Sequence, residues 1–553
     1  MLKCVKQTTT VLIAQAVLLG VVPLVAGAAT FRLEEATVTD INTAFDAGAL
    51  NSEQLTQLYL SRIEAYDDRG PNLNSIITIN PSALQTAAEL DKERQTIGPR
   101  SPLHGIPILL KDNYDTFDLP TTAGSLSLEG SIPPDDAFVV DKLRDAGVVI
   151  LGKTNLDEFA RGSSGLSSLG GQTRNPYALD RVPGGSSAGT GAAIAANFAT
   201  VGLGTETGVS IRNPATNNNL VGIAPTEGLV SRDGVVPISF TQDRAGPLTR
   251  SVSDAAVVLS AIAGYDTSDP VTANSIGKIP AQGYTSFLDE NSLNGARIGV
   301  LQDLFRSGPE HQESIALIEA AIEDMRQQGA VIVDPVTTGL DLFGILSTAR
   351  VNDFEFKVAL NDYLASLGPD APVKSLEEII ESEKYIPSLR AGLVASQAVE
   401  SLDNNPEYER RLALREFLRQ VTTDLMDAND LDALVYPMKS RPAPLIGTTD
   451  SMSDNAFSSI TGLPAIVVPA GFTADGLPTN IEILGRSFSE PTLISLAYDY
   501  EQATMHRRPP ESTPPLLGEE FEYEPVPEPT TAIGLSVVGF AALYWKRKQR
   551  AQP

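Results

Sequence analysis

The feature that most limits the fold is a set of short apolar runs separated by helix-patterned stretches. The runs are 106–110, 148–151, 296–301, 331–333 and 465–469. Each is too short for a core helix, and runs of this kind read as strands buried on both faces. Between them, Leu55, Leu58, Tyr59, Arg62, Ile63 and Tyr66 fall at helical spacing, with Ser52 as the expected N-cap. Ile315, Ile318, Ile322 and Met325 mark another helix, stopped by Gly329. The stretch 192–199 reads as a helix of small residues that lets neighbours approach closely. Residues 336–430 are mostly helical in pattern and show no recognisable chemistry. This alternation predicts an α/β fold, a sheet covered by helices. Length alone, 553 residues, suggests roughly two to four domains.

Charge and residue counts remove several functions. The formal net charge is −28 and the isoelectric point about 4.5, and nucleic-acid binding needs clustered Lys and Arg instead. The one cysteine, Cys4, lies in a segment expected to be removed, so no thiol nucleophile or Cys-based metal site is expected. His104, His311 and His506 are the only histidines, and no H-E-x-x-H pair exists. No metal and no cofactor are expected.

The two ends carry addresses. Residues 1–28 read as a secretory signal peptide. Lys3 and Lys6 precede an apolar run, and Ala26-Gly-Ala28 forms a small-residue cleavage site. A short membrane anchor is the alternative. Residues 511–529 read as an acidic, Pro-rich, disordered linker. Residues 530–553 hold an apolar run from Ala532 to Trp545, closed by Lys546, Arg547, Lys548 and Arg550. At 14 residues the run falls short of the roughly 20 needed for a full span. Pro527-Glu-Pro529, the apolar run and the basic tail together resemble the PEP-CTERM sorting signal of bacterial exported proteins. The resemblance implies export to the periplasm, cell surface or exterior of a bacterium. It also implies transient membrane association through the tail and contact with export and sorting machinery. A permanent C-terminal anchor stays open.

Three segments could carry chemistry: Gly105-Ile-Pro-Ile-Leu-Leu-Lys111, Gly184-Gly-Ser186-Ser187-Ala-Gly189, and Gly204-Thr-Glu-Thr-Gly208-Val-Ser210-Ile-Arg212. Singly, each has an ordinary explanation: a snorkelling lysine, a capped turn, a strand end. The second matches the G-x-S-x-G elbow through Ser187, but that elbow needs a buried strand before it, and 174–183 reads as loop.

In this order the segments resemble the amidase signature family. The resemblance extends over roughly 37–505, through Gly152-Lys-Thr-Asn-Leu-Asp-Glu-Phe159, Gly171-Gln-Thr-Arg-Asn-Pro176, Asp243-Arg-Ala-Gly-Pro247 and Thr461-Gly-Leu-Pro464. It is strongest towards the branch of bacterial peptide amidases. It implies one large α/β/α domain around a mixed sheet, set here at 29–510, in place of the several domains suggested by length. It also implies hydrolysis of a small-molecule or peptide carboxamide without a cofactor. Ser210 becomes the nucleophile, Ser186 the bridging serine after a cis peptide bond, and Lys111 the base. The backbone N–H groups of Thr207, Gly208, Val209 and Ser210 become the oxyanion hole.

The physics of these residues agrees with such roles. A serine hydroxyl needs an adjacent base, and burial takes the proton off a lysine. Arg212 is expected either to orient substrate or to pair inside the core. Lys153 and Asp243 are expected to be structural. One departure bears on activity: the family usually has glycine where this chain has Val209. Either the backbone there is strained, or valine narrows the acyl pocket. A non-catalytic binding protein that kept the fold is the competing reading. One subunit of an amidotransferase is a second such reading, and export speaks against it.

Overall fold

The computed structural model describes residues 28–448 and 455–525. The expected signal peptide, all but residue 28, and the expected sorting tail lie outside the described residues. The chain forms two compact units, one of them Phe31–Phe521. Of the other, residues 28–30 and 522–525 are described.

The larger unit is built on an 11-stranded mixed sheet. In chain order its strands are β1 (Ile76–Ile79), β2 (Pro107–Lys111), β3 (Val149–Thr154), β4 (Val201–Glu206) and β5 (Val221–Ala224). They continue with β6 (Arg244–Thr249), β7 (Arg297–Leu301), β8 (Val331–Val336), β9 (Ala433–Pro437), β10 (Ala465–Phe472) and β11 (Pro478–Leu484). Across the sheet the order is β8-β7-β9-β11-β10-β5-β6-β4-β2-β3-β1. β4, β2 and β3 run parallel, as do β8, β7 and β9. The antiparallel strands β11, β10, β5 and β6 lie between these two groups. This is the α/β architecture with helices around a mixed sheet, in one large unit.

Four of the five apolar runs fall in strands buried on both faces or nearly so, and every residue of β2, β3, β4 and β9 is buried; the run at 331–333 differs, because β8 is an edge strand and only Val336 of it is buried. The parallel crossovers between them require intervening helices. The helix Ser52–Tyr66 begins one residue earlier than expected. Asn51, not Ser52, is its cap, accepting from the Gln54 amide (2.8 Å) while Gln54 Oε1 accepts from the Asn51 amide (3.1 Å). That reciprocal box satisfies two end donors, and Ser52 Oγ instead donates to the Gly105 carbonyl (2.7 Å). The small-residue helix is Ala188–Ala195, shifted towards the Gly/Ser segment. Glycine is required inside it, because a Cβ on Gly189 would collide with the Ser75 carbonyl oxygen. Gly329, at φ +98°, follows the helix Gln312–Gln327 as expected.

The helical half comprises Leu342–Thr348, Asn352–Ser366, Leu376–Ser382, Arg390–Gln397 and Pro406–Ala428. One core cluster joins Phe356, Leu360, Leu376 and Leu393 of that half to Leu156, Phe159 and Ile238. The expected domain end at 510 is too early. Residues 511–521 pack on the body, where the buried Arg62 guanidinium meets Glu519 (2.6 Å) and the Thr513 carbonyl (2.6 Å). A Pro- and Glu-rich composition suggests solvation, but Glu519 is the counter-charge for a buried cation, which fixes the segment.

Candidate active site

β2 delivers Lys111 to the sheet's interior, and the side chain is fully buried. Its Nζ lies 2.7 Å from Ser186 Oγ and 2.8 Å from Thr205 Oγ1. Thr205, on the neighbouring β4, also accepts from Asn113 Nδ2 (2.9 Å). Burial pulls the Lys111 ammonium down to about 7, against the opposing pull of the Asp157, Asp243 and Glu206 carboxylates. At neutral pH a substantial share of the amine is therefore free to take a proton.

Ser186 sits on a tightly specified turn. The Gly185–Ser186 peptide bond is cis. A Cβ on Gly185 would run into Asp157 Oδ2, so no side chain fits there. Asp157 locks the turn from both sides. Its amide donates to the Ser186 carbonyl (3.1 Å), and its carboxylate accepts from the Ser164 (2.8 Å) and Gly165 (2.9 Å) amides. Gly184 takes φ +79°, and a Cβ there would overlap Asn213 Oδ1.

Ser210 lies between β4 and the short helix Arg212–Asn217, with 7% of its surface exposed. Its carbonyl accepts from the Ser187 amide (3.3 Å), which ties the serine-bearing segments together. Thr207, Gly208, Val209 and Ser210 form one wall of a cavity of about 400 Å³. The amides of Gly208, Val209 and Ser210 donate to no group among the described residues. Thr207 is pinned by donation from its Oγ1 to Asp243 Oδ1 (2.5 Å). Asp243 Oδ2 in turn accepts from the Ile238 (2.8 Å) and Ser239 (2.9 Å) amides, so Asp243 organises the loop beside the site.

Arg212 requires a correction, because it does not face the cavity as a substrate-orienting residue. It is fully buried, and its Nε donates to Glu206 (2.9 Å), its Nη1 to Glu482 (2.7 Å) and its Nη2 to the Gly208 carbonyl (2.8 Å). The two carboxylates hold its charge, as a buried guanidinium requires. Through Gly208 it braces the wall that carries Ser210.

Val209 adopts an ordinary backbone: it is not among the residues with positive φ, whereas Asn219 is, at 53°. Its half-buried side chain packs against a core cluster containing Leu304, Leu418 and Phe457 and also lines the cavity. Valine therefore takes up volume without straining the turn. Ser187 is buried away from the cavity and bonded to the Thr205 amide and carbonyl (3.2 Å each). Lys153 pairs with Asp112 (3.2 Å) inside the core.

The cavity's opposite wall left no signature in the sequence. Arg350, Asn352, Asp353, Ser388, Leu389 and Gly392 come from the helical half, where the pattern of residues shows no chemistry. Thr205 stands within the Gly204-Thr-Glu-Thr segment, but nothing in that segment marks it as the residue on β4 that meets Lys111.

Known proteins are similar to this chain over most of its length. The family model described as Amidase matches residues 54–494. The native peptide amidase of Stenotrophomonas maltophilia is 42% identical, with a TM-score of 0.78 over 87% of this chain and 99% of that one. A probable amidase of Arabidopsis thaliana is 39% identical over 87% of this chain and 92% of its own length. A glutamyl-tRNA(Gln) amidotransferase subunit of Geobacter metallireducens is 35% identical over 86% of this chain and 98% of its own. With its mixed sheet, its buried lysine beside a serine and its similarity from end to end of the body, the chain belongs to the amidase family and is a hydrolase of amide C–N bonds.

Proposed function

We propose that the protein is an exported amidase that cuts a small-molecule or peptide carboxamide through an acyl-enzyme on Ser210. The observation that carries this reading is the buried Lys111 amine, 2.7 Å from Ser186 Oγ and held down to about 7. Ser210 Oγ attacks the carbonyl carbon, passing its proton to Ser186 as Ser186 passes its own to Lys111 Nζ. A hydroxyl can do this because it both donates and accepts. The oxyanion meets the amides along Thr207 to Ser210, where one well-aimed donor is typically worth about 3 kcal/mol. The proton returns through Ser186 to the departing nitrogen, and ammonia or an amine leaves. Water, activated by the same relay, then releases the acid and frees Ser210.

Similarity to a peptide amidase supports a peptide-like substrate. Export rests on the Lys3, Lys6 and Ala26-Gly-Ala28 pattern and on the Pro527-Glu-Pro tail. The amidotransferase relatives would favour a role inside a tRNA-dependent assembly, against which the same two ends speak. A fluorophosphonate probe should label the native protein and leave Ser210→Ala unlabelled; full labelling of that variant would overturn the assignment. Intact mass from the native host should lack residues 1–28 and the tail after Pro529, and finding the full-length chain in the cytoplasm would overturn export.

A further inference from the structure

The cavity beside Ser210 carries three charged residues, Arg161, Arg350 and Asp353. Two of them satisfy each other: Arg161 donates to Asp353 (2.5 Å) and lies 4.6 Å above the centre of the Phe356 ring. Arg350 is left over. Its backbone carbonyl accepts from Arg411 (2.7 Å), but its exposed guanidinium makes no hydrogen bond, ion pair or ring contact among the described residues. Arg411, the nearest cation by that bond, is already matched to Glu407 (2.8 Å). An exposed arginine is ordinarily a solvated surface charge. This one stands on the wall of the cavity that holds Ser210, in a chain whose formal net charge is −28.

Resting on the reading of that cavity as the amide site, we propose that the substrate's acyl portion carries a carboxylate and that Arg350 holds it. With a primary amide the leaving group is ammonia, so whatever fills the cavity belongs to the acyl portion. Ala160, Val209, Ile238 and Leu389 supply apolar patches in an otherwise polar lining. A guanidinium presents its donors in a fork that matches a carboxylate. Elsewhere the protein's negative surface repels an acidic substrate, so one unmatched cation at the site supplies discrimination as well as affinity.

The test uses the full protein and blocked peptide amides with Glu, Gln or Lys at successive positions from the amide. At one position the Glu peptide should exceed the Gln peptide in kcat/KM by about tenfold or more, the size expected of one charge-assisted hydrogen bond. Added salt should shrink that ratio. Arg350→Gln should bring it close to one, and Arg350→Glu should reverse it in favour of Lys. Calorimetric binding of the same peptides to Ser210→Ala reads recognition without turnover, so an error in the catalytic assignment cannot mimic an error here. Equal binding of the Glu and Gln peptides to Ser210→Ala would overturn the proposal. So would a Glu preference that survives Arg350→Gln.

Discussion

Replacing Lys111 by methionine should make the protein more stable and inactive at once. The side chain is fully buried, and its ammonium is held at about 7 instead of 10.5. Each pH unit of that displacement corresponds to about 1.4 kcal/mol, so keeping the protonated amine inside costs the fold about 5 kcal/mol. Methionine fills nearly the same space without the charge. It gives up the hydrogen bonds to Ser186 Oγ and Thr205 Oγ1, a loss of about 1–3 kcal/mol. Thr205 keeps its bond from Asn113. Below pH 7 the variant should thus gain about 2–4 kcal/mol. The sign follows from proton counts. Between about 7 and 10.5 the unfolded chain binds one more proton at this lysine than the native chain does. Native stability therefore rises with pH in that window and is lost as pH falls towards 7. The variant lacks this slope, so its advantage should shrink by about 2.3 kcal/mol from pH 7, where native Lys111 is half deprotonated, to pH 9. Urea unfolding of both proteins at several pH values, alongside amide hydrolysis, measures it. A difference that stays flat with pH, or a variant less stable than the native protein at pH 6.5, would refute the reasoning.

Three further outcomes follow from the same site. Because the relay needs neutral Lys111, kcat/KM for an uncharged amide should fall about tenfold per pH unit below an apparent pKa near 7; a profile flat down to pH 5 would exclude Lys111 as the base. Ser187→Ala should keep probe labelling while losing about 1–3 kcal/mol of stability in denaturant titrations, since it strips buried bonds from Thr205. Val209→Gly should widen the range of accepted acyl groups in a panel of amides and change turnover modestly, because the backbone there is already ordinary. An inactive native protein made active by that change would show the turn to be strained after all.

The half of the site that gathers Lys111, Ser186 and Ser210 was legible because its parts are local in sequence. An apolar strand ending in Lys111, glycines packed around Ser186, and a turn holding Ser210 each leave a short signature that the chain order joins. The cavity's far wall left none. Arg350, Asn352 and Asp353 meet the site only through tertiary packing, and Arg161 finds Asp353 across 192 residues. Arg212 shows the same limit. Ser-Ile-Arg reads alike whether the guanidinium faces substrate or core, and one of the carboxylates that decides it, Glu482, stands 270 residues away. The boundary at 510 failed for a related reason. Composition describes a segment's own affinity for water, whereas residues 511–521 are ordered by a partner on the helix Ser52–Tyr66.

That partner turns the end of the domain into a latch. Arg62 reaches the Ala196 carbonyl (3.0 Å) just past the helix that starts behind Ser186, and with the same guanidinium it grips Thr513 and Glu519. The Leu33 amide closes the clasp on the Glu519 carbonyl (2.9 Å). A cut after Pro529 would leave every one of these bonds in place, so a body released from its tail loses none of the grip. A chain ended at 510 would strand a cation in the core, a defect of about 3–5 kcal/mol. The shortest version of this enzyme that keeps Arg62 paired, and the helix Ala188–Ala195 braced through it, must therefore reach at least Glu519, into sequence whose composition suggests it could be discarded.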